Sequence, residues 1–476
     1  MAFKISQLAS SMDSLYEYDR EPVAAGQFKP GSQFAGLFAG EHVAGTEFVI
    51  GAFFVLHGVS LADLIWGLLI GNLLAVLSWT FVCSPIATRT RLTLYWYLRR
   101  IAGPGLTIIY NIANAVLYCI LAAAMVAVSA TAVGMAFDIK TPQLTDVLPN
   151  SVGWIVLTFA IGSAFLILAI LGFEKLSRFG EACSPWIFAI FIAGAIAALP
   201  RLGVHPNFDN LREIAQTRIW NGVPEPGQQV FTVWHIIFFA WFCNLAMHIG
   251  LSDMALFRYA RHWAFGLYSA LGMYPGHMLA WICSGVMMAG ANRQIDPGRM
   301  AFEAAGFAGL LAVVLASWTT ANPTLYRAGL AIQCITSNWP RWKATLVAGL
   351  ITSVLSCFPL FIMKLLDYVA IYGLVLMPIG AIVFAEHWLF PKLGIEQYQA
   401  DKRGWLLNGK ALAVWIATLV LCLLMPFHLF FRWLPGYLFA LVSYTVWNLA
   451  SGKRASAGIK AGLTGLECKG GGNGDV

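Results

Sequence analysis

The chain has 476 residues, of which 59% are hydrophobic and only 11% are charged. An ordinary soluble domain carries about 25% charged residues, so the composition excludes that class and predicts a protein whose surface faces lipid. The net charge of +7 does not indicate nucleic-acid binding, because the lysines and arginines lie mostly in short segments between apolar runs, where they orient a membrane protein. The nine cysteines are spread singly, without the spacing of a zinc site or a disulfide framework.

About twelve apolar segments have the ~20 residues that crossing a bilayer requires. In chain order their approximate centres are Thr46, Asn72, Tyr118, Phe159, Phe191, Phe239, Ala280, Leu315, Thr352, Leu376, Leu419 and Leu441. Lysine and arginine cluster in alternate loops, and the positive-inside rule then predicts a plasma-membrane protein with both termini in the cytoplasm. The expected flanking segments are a cytoplasmic tail at residues 1–30, an external loop at 202–229 and a disordered cytoplasmic tail at 451–476.

The first span holds Glu41, His42 and Glu47 among four glycines, between residues 33 and 51. Glycine weakens a helix and a carboxylate in lipid costs free energy, so this composition predicts a broken helix whose freed backbone groups bind something. Two positions remain open for Glu41, at the break or shallow near the cytoplasmic interface. Glu47 lies deeper, where it pairs with a cation or carries a proton. The GxxxG spacings at residues 36/40 and 67/71 predict close helix packing.

The third span places Asn111, Asn114 and Tyr118 on one helical stripe, because they are spaced by three and four residues. Such a stripe either lines a cavity or joins helices by hydrogen bonds.

The sixth span contains Trp241, Asn244 and His248, and on a continuous helix the last two share a face. A lone membrane histidine is more often a packing residue than a ligand. Asp253, five residues before Arg258, is expected to form an intracellular salt bridge with it. This unusual helix comes five spans after the first one, and interrupted helices at corresponding places in two halves indicate a binding site built from inverted repeats.

The eighth span is interrupted by Thr319, Thr320, Asn322 and Pro323. Paired hydroxyls at membrane depth suit a small, hard cation that takes oxygen ligands. The alternative is a proline-kinked helix whose threonines satisfy the freed carbonyls.

The same span resembles the eighth helix of the nucleobase:cation symporter family, whose best-known members are cytosine permease and the hydantoin transporter. The matching segments are Trp318-Thr-Thr320, Leu325-Tyr326 and Ala328-Gly-Leu330, with further likeness at Gly58-Val-Ser60, Leu69–Leu74, Pro185 and Phe257-Arg-Tyr259. The resemblance implies an all-α membrane fold with a five-plus-five inverted-repeat, LeuT-like core and two additional C-terminal helices. The repeats are then expected at residues 31–201 and 230–390, and the last two helices at 391–450.

The resemblance also implies a sodium site. Its ligands carried over by position are the carbonyls of Glu41, Ala44 and Ala316 and the hydroxyls of Thr319 and Thr320.

In the implied substrate pocket, Tyr118 replaces a tryptophan on which a flat base stacks, and Ala321 replaces an asparagine, with Asn322 following. Ala115 stands where the family has a base-reading glutamine, with Asn114 beside it. The other candidate substrate-binding residues are Glu41, His42, Trp241, Asn244 and His248. A carboxylate with aromatic faces serves a cationic or zwitterionic nitrogen compound at least as well as a nucleobase.

The sequence therefore predicts a secondary transporter that couples sodium entry to uptake of a small nitrogenous solute, and not an enzyme. One alternative is proton coupling through Glu41 or Glu47, helped by His42 or His248. Another is a membrane receptor that binds without transport. No P-loop, HExxH or GxSxG motif stands in a suitable context, which weakens the case for an ATP-driven pump or a hydrolase. The expected partners are the substrate and the lipid bilayer, and the expected state is a monomer or weak oligomer.

Overall fold

The structure, a computed structural model, describes residues 17–142, 146–291, 297–336, 338–363 and 365–467. Helices form the regular structure of these residues, apart from one isolated bridge between Ser60 and Asn221. The predicted tail segment Lys469–Val476 lies outside the described residues. The helix Trp433–Glu467 extends past residue 450, where the sequence predicts that the tail begins.

Twelve spans occur in the predicted order, five of them broken or short. Seven helices of the described chain are long and apolar enough to cross a membrane, namely Leu61–Thr90, Leu94–Ala136, Val152–Leu171, Phe173–Leu202, Ala305–Ile335, Asp367–Leu393 and Leu429–Ser451. They are spans 2, 3, 4, 5, 8, 10 and 12. Three of the remaining spans are broken: span 1 consists of Gly31–Glu41 and Glu47–Leu56, span 6 consists of Val233–Phe242, Leu245–His248 and Met254–Phe257, and span 7 consists of Gly272–Met278 and Leu279–Gly290. The other two are short: span 9 is Arg341–Ser356 and span 11 is Gly409–Leu424. The chain is therefore a multi-pass membrane protein.

Spans 1 and 6 are both interrupted, as the sequence predicts. Span 1 leaves the helical conformation between Glu41 and Glu47, where Gly45 lies. Span 6 is interrupted at Asn244 and again near Leu251, which has a φ of 65°. A leucine in this left-handed region is strained, and such strain persists only where the surrounding structure holds it.

Two groups of helices pack around these interruptions. Spans 1, 2, 6 and 7 contact one another and form what we call the bundle, whereas spans 3, 4, 8 and 9 form the scaffold. Span 5 touches both groups, since it packs against spans 1, 7 and 8. Spans 10, 11 and 12 pack against each other beside the scaffold.

Both GxxxG spacings mediate close packing, as predicted. A Cβ on Gly36 would lie 2.5 Å from the Cα of Glu181 in span 5, and one on Gly71 would lie 2.5 Å from the carbonyl oxygen of Ile237 in span 6. Glycine is required at these positions because only a hydrogen fits between the two backbones.

A glycine also bends the third span. Gly103, with φ 79° and ψ 162°, separates a short segment at Leu94 from the long transmembrane part of the helix. The loop before span 11 is fixed to this bend, because Gly105 N donates to Leu406 O at 2.7 Å and Asn408 N donates to Ala102 O at 2.9 Å. The C-terminal helices are thereby attached to the scaffold.

Candidate functional site

A cavity of about 60 Å³ lies where the two broken helices meet. Its walls come from spans 1, 3, 6, 7, 8 and 10. The lining residues are Glu41, Ala44, Thr46, Glu47, Ile50, Leu121, Met125, Cys243, Asn244, Ala246, Met247, His277, Thr320, Val369 and Tyr372. Of the sequence-predicted substrate residues, Glu41 and Asn244 therefore lie on the cavity wall.

Four of the five predicted sodium ligands converge beside this cavity. Thr320 Oγ1 lies 2.8 Å from Glu41 O and 3.0 Å from Ala316 O. Thr319 Oγ1 also lies 3.0 Å from Ala316 O. The contact from Thr320 to Glu41 joins the eighth span to the break in the first. The fifth predicted ligand, Ala44, lines the same cavity, and its carbonyl accepts a hydrogen bond from Glu47 N at 3.0 Å.

The threonine contacts within the eighth span are also expected if that span is only a proline-kinked helix whose threonines satisfy the freed carbonyls. Thr319 Oγ1 lies 3.1 Å from the carbonyl of Leu315, one helical turn earlier, which is the usual bond of a threonine inside a helix. The contact with the first span is the one that this alternative does not predict. A further hydroxyl, Ser317 Oγ, is buried without a hydrogen-bond partner in the described residues, and a Cβ on Gly45 would lie 2.1 Å from it. These neutral oxygens suit a sodium ion.

A buried ion-pair network adjoins the predicted sodium ligands. Arg327 pairs with both carboxylate oxygens of Glu41, and its Nη2 lies 2.5 Å from Asp253 Oδ1. Trp79 Nε1 donates to the other oxygen of Asp253 at 2.6 Å. Because Glu41 is 3% exposed and Asp253 and Arg327 are fully buried, each charge depends on the others to offset its lost hydration.

This network overturns two sequence expectations. The predicted salt bridge between Asp253 and Arg258 is wrong, since five residues on a helix are separated by about 140° of rotation and point to different sides. Arg258 instead donates to the hydroxyls of Tyr259 and Tyr326, each at 3.0 Å. The shallow position considered for Glu41 is wrong as well, because the residue ends a helix at the break and is buried in an ion pair.

A second polar cluster surrounds Glu47, the first residue of the half-helix after the break. Trp281 Nε1 donates to Glu47 Oε2, and His277 Nε2 lies 3.8 Å from Glu47 Oε1. The His277 ring stacks on the Trp281 ring with centroids 4.4 Å apart. Ser284 Oγ donates to Glu47 O at 2.8 Å, a contact made close by Gly51. The seventh span thus holds this carboxylate at the cavity wall.

His42 and His248 surround an indole ring rather than the cavity. Their ring centroids lie 5.5 Å and 4.7 Å from that of Trp79. His42 Nδ1 is 2.9 Å from Phe38 O, and His248 Nε2 is 2.9 Å from Trp241 O. These contacts are those of packing histidines.

Tyr118 and Asn114 lie behind Tyr372. Tyr118 OH is 2.6 Å from Ser252 Oγ, and its ring meets the Tyr372 ring edge-on with centroids 5.1 Å apart. Tyr372 OH donates to Asn114 Oδ1 at 3.4 Å. The aromatic residue of the third-span group that lines the cavity is therefore Tyr372, and Tyr118 and Asn114 of the predicted stripe contact it from behind. Asn111, the third residue of the stripe, donates to Tyr95 O at 3.4 Å instead.

Three further predicted substrate residues are also absent from the cavity wall. Trp241 Nε1 donates to Ser78 Oγ at 2.9 Å, and its ring meets Trp433 edge-on with centroids 4.5 Å apart. Ala321 packs in a small apolar cluster with Ala44, Met125, Val126 and Phe165. Asn322 is buried, and neither atom of its amide has a partner in the described part of the chain. Each residue along a helix rotates the side chain by about 100°, so Ala321 and Asn322, which follow Thr320 directly, point to other sides of the eighth span.

Sequence reasoning missed several residues of the site. Arg327, a lone cation within an apolar span, was itself a signal, since such residues almost always pair. His277, an ionisable residue within an apolar span, was a weaker signal of the same kind, whereas Tyr372 gave none, because single tyrosines are common in membrane spans. Thr46, Met125 and Met247 were likewise indistinguishable from packing residues.

Solved transporters share this architecture. A structure of Mhp1, a nucleobase-cation-symport-1 family transporter, in a closed conformation with bromovinylhydantoin bound, has a TM-score of 0.72 at 15% identity, covering 92% of this chain and 96% of that one. The inward-facing conformation of Mhp1 has a TM-score of 0.68 at 13% identity, covering 93% and 94%. A Na⁺-coupled sialic acid symporter, in a substrate-bound outward-open state, has a TM-score of 0.65 at 12% identity, covering 92% and 95%.

No protein-family profile and no curated protein sequence matches the chain. Identities this low establish the fold and no more. The chain has the LeuT-like fold of cation-coupled symporters, as the resemblance in its eighth span predicts.

Proposed function

We propose that this protein is a sodium-coupled symporter, related to the nucleobase:cation symporters, that carries a small nitrogenous solute across a plasma membrane. The observation that supports it is the 2.8 Å contact between Thr320 Oγ1 and Glu41 O, which places paired hydroxyls of the scaffold against the broken helix of the bundle. Sodium is held there by the carbonyls of Glu41, Ala44 and Ala316 and the hydroxyls of Thr319 and Thr320.

Coupling follows from the position of these ligands. Because the carbonyls of Glu41 and Ala44 belong to the bundle and the other three oxygens to the scaffold, all five can act together only when the two groups are close. Sodium therefore binds the conformations of the protein with different affinity, which is what coupling requires. The substrate occupies the adjacent cavity, and both termini lie in the cytoplasm.

The test uses the full chain reconstituted in proteoliposomes. Sodium is expected to raise the unfolding temperature relative to potassium, and an inward sodium gradient to drive accumulation of radiolabelled solutes from a panel of nucleobases, hydantoins and small amines. Thr319→Ala combined with Thr320→Ala should abolish both effects of sodium while the protein stays folded.

A matched control is Thr324→Ala, which removes another buried hydroxyl of the same helix, bonded to Thr320 O at 2.8 Å. It should leave the sodium response intact. Full sodium dependence in the Thr319/Thr320 double variant would contradict the proposed site, and binding without accumulation would indicate a receptor.

Proton coupling is the second candidate, and the pairing of Glu47 with His277 at 3.8 Å favours it. Both side chains are buried at the cavity wall, and the carboxylate and the imidazole can exchange a proton when they approach to hydrogen-bond distance. Uptake driven by a pH gradient in sodium-free buffer would establish this candidate, and uptake driven by sodium at equal pH on both sides would exclude it.

A further inference from the structure

We propose that Glu47 selects the substrate, and that the substrate is a small organic cation with N–H donors, such as an amidine, a guanidine or a protonated ring amine. This inference rests on the proposed function, since it names the solute of the same cavity. Glu47 differs from the nearby carboxylates of Glu41 and Asp253 in its partners, because those two contact a buried guanidinium and Glu47 does not.

Glu41 and Asp253 share a fixed counter-ion. Both carboxylates contact the guanidinium of Arg327, which is fully buried between them. Two anions with one cation leave this network with a net charge of −1, so Arg327 has no charge to spare for a substrate anion.

Glu47 has no such counter-ion. The donor to its Oε2 is the neutral indole of Trp281, and within the described residues its only potential ionic partner is His277 at 3.8 Å. An ionised carboxylate buried without a cation is unstable, and the dipole of the half-helix that Glu47 begins stabilises the negative form only in part. A cation arriving in the cavity supplies the missing charge.

The remaining wall fits a flat nitrogenous cation. Tyr372 contributes an aromatic ring, and such a ring attracts a cation placed over its face. His277 Nδ1 is a buried atom without a hydrogen-bond partner in the described chain, and it can accept from an N–H of the solute when the ring proton is on Nε2. Asn244 Nδ2 also lacks a partner among the described residues, but it is a donor and would need an acceptor on the solute. Ile50, Leu121, Met125 and Met247 close the site with apolar contacts, which exclude water and strengthen the charge pairing.

Anionic and neutral solutes fit this cavity less well. An anion would meet Glu47 with no cation available among the described lining residues, so it would add to the negative charge. A neutral base would leave the charge of Glu47 without a counter-charge, and Asn244 is the one side-chain amide among the described lining residues that could bind such a base.

The experiment uses two sets of probes that share a shape and differ in charge. They are acetamidinium, acetamide and acetate, and benzamidinium, benzamide and benzoate. Equilibrium binding to the purified full chain is measured by calorimetry in sodium buffer for the wild type and for Glu47→Gln, which keeps the acceptor for the Trp281 N–H and removes the charge. The matched control is Glu386→Gln, a buried carboxylate in the tenth span that accepts from Tyr444 OH at 2.9 Å outside the cavity.

The wild type and Glu386→Gln are expected to bind at least one amidinium about 10- to 100-fold more tightly than its neutral amide, and Glu47→Gln to lose this preference. Should Glu47→Gln fail to fold, Glu47→Asp keeps the charge and is expected to keep the preference with weaker binding. A preference that survives in Glu47→Gln, tighter binding of an amide or a carboxylate, or no binding of any amidinium would each overturn the assignment.

Failure of this inference is distinguishable from failure of the proposed function. Glu47 is not among the proposed sodium ligands, so stabilisation by sodium in Glu47→Gln reports on the cation site alone. Sodium stabilisation without amidinium preference would remove the role of Glu47 and leave sodium coupling standing. Amidinium preference without any response to sodium would support the role of Glu47 and contradict sodium coupling.

Discussion

Arg327 Nη2 lies 2.5 Å from Asp253 Oδ1, although the two residues belong to different helix groups. The same guanidinium also pairs with Glu41, so one scaffold cation contacts both broken helices of the bundle. The side chains are buried, and the pairing therefore offsets a hydration loss that each ion would otherwise bear alone.

Replacing Arg327 with Met should destabilise the protein by about 3–5 kcal/mol, because Glu41 and Asp253 would stay buried with no cation between them. Thermal unfolding in detergent or nanodiscs measures the loss. Glu41→Gln with Asp253→Asn in the same chain should recover much of it, since the unpaired charges are then gone. Arg178→Met, which breaks an exposed pair with Glu174, should change stability by less than about 1 kcal/mol. An Arg327 variant as stable as the wild type would contradict the network.

Gly45→Ala should weaken sodium binding about tenfold or more, because its Cβ would lie 2.1 Å from Ser317 Oγ and push the break away from the eighth span. Adding Ser317→Ala relieves part of this clash and should restore some affinity. Sodium titration followed by unfolding temperature compares the two variants. If Ser317→Ala does not raise sodium affinity in the Gly45→Ala background, then the contact between Gly45 and Ser317 does not position the break.

Tyr372→Ala should weaken binding of aromatic substrates by about tenfold, since it removes the ring that lines the cavity. Trp241→Phe should leave their affinity nearly unchanged, because that indole contacts Ser78 and Trp433 instead. Competition against a radiolabelled substrate separates the two residues. A larger loss of affinity in Trp241→Phe than in Tyr372→Ala would support the sequence-based assignment of Trp241 to the substrate pocket.

Gly36→Ala should reduce the free energy of unfolding by about 1–3 kcal/mol, because the added Cβ meets the backbone of Glu181 at 2.5 Å. Gly26→Ala is the control, as a Cβ there has no atom within 4 Å. Chemical unfolding of the two variants in the same detergent provides the comparison. Equal stability of the Gly36→Ala and Gly26→Ala variants would mean that spans 1 and 5 can move apart to accommodate the added methyl group without loss of stability.

The helices and the two interruptions could be predicted because their signals are local, whereas the convergence of Thr320 with Glu41 was implied only by the family resemblance. Glycine, adjacent hydroxyls and carboxylates within apolar runs are unusual in lipid and carry a cost that needs a reason. The partners of Asp253 could not be predicted, since they depend on how spans 2, 6 and 8 meet in space. The assignment of Trp241 to the pocket fails for the same reason. The sequence shows that residue 241 is aromatic, but the direction in which its ring points depends on the interruption of span 6 at Asn244.

The bend at Gly103 offers a fixed reference point for measuring the motion that the proposed function requires. Because the segment that contains Leu406 is hydrogen-bonded to the bent third helix, a fluorophore on that segment is expected to stay with the scaffold. If the proposed transport occurs, the distance from this fluorophore to a second dye on the half-helix that begins at Gly31 should report the movement of the bundle relative to the scaffold.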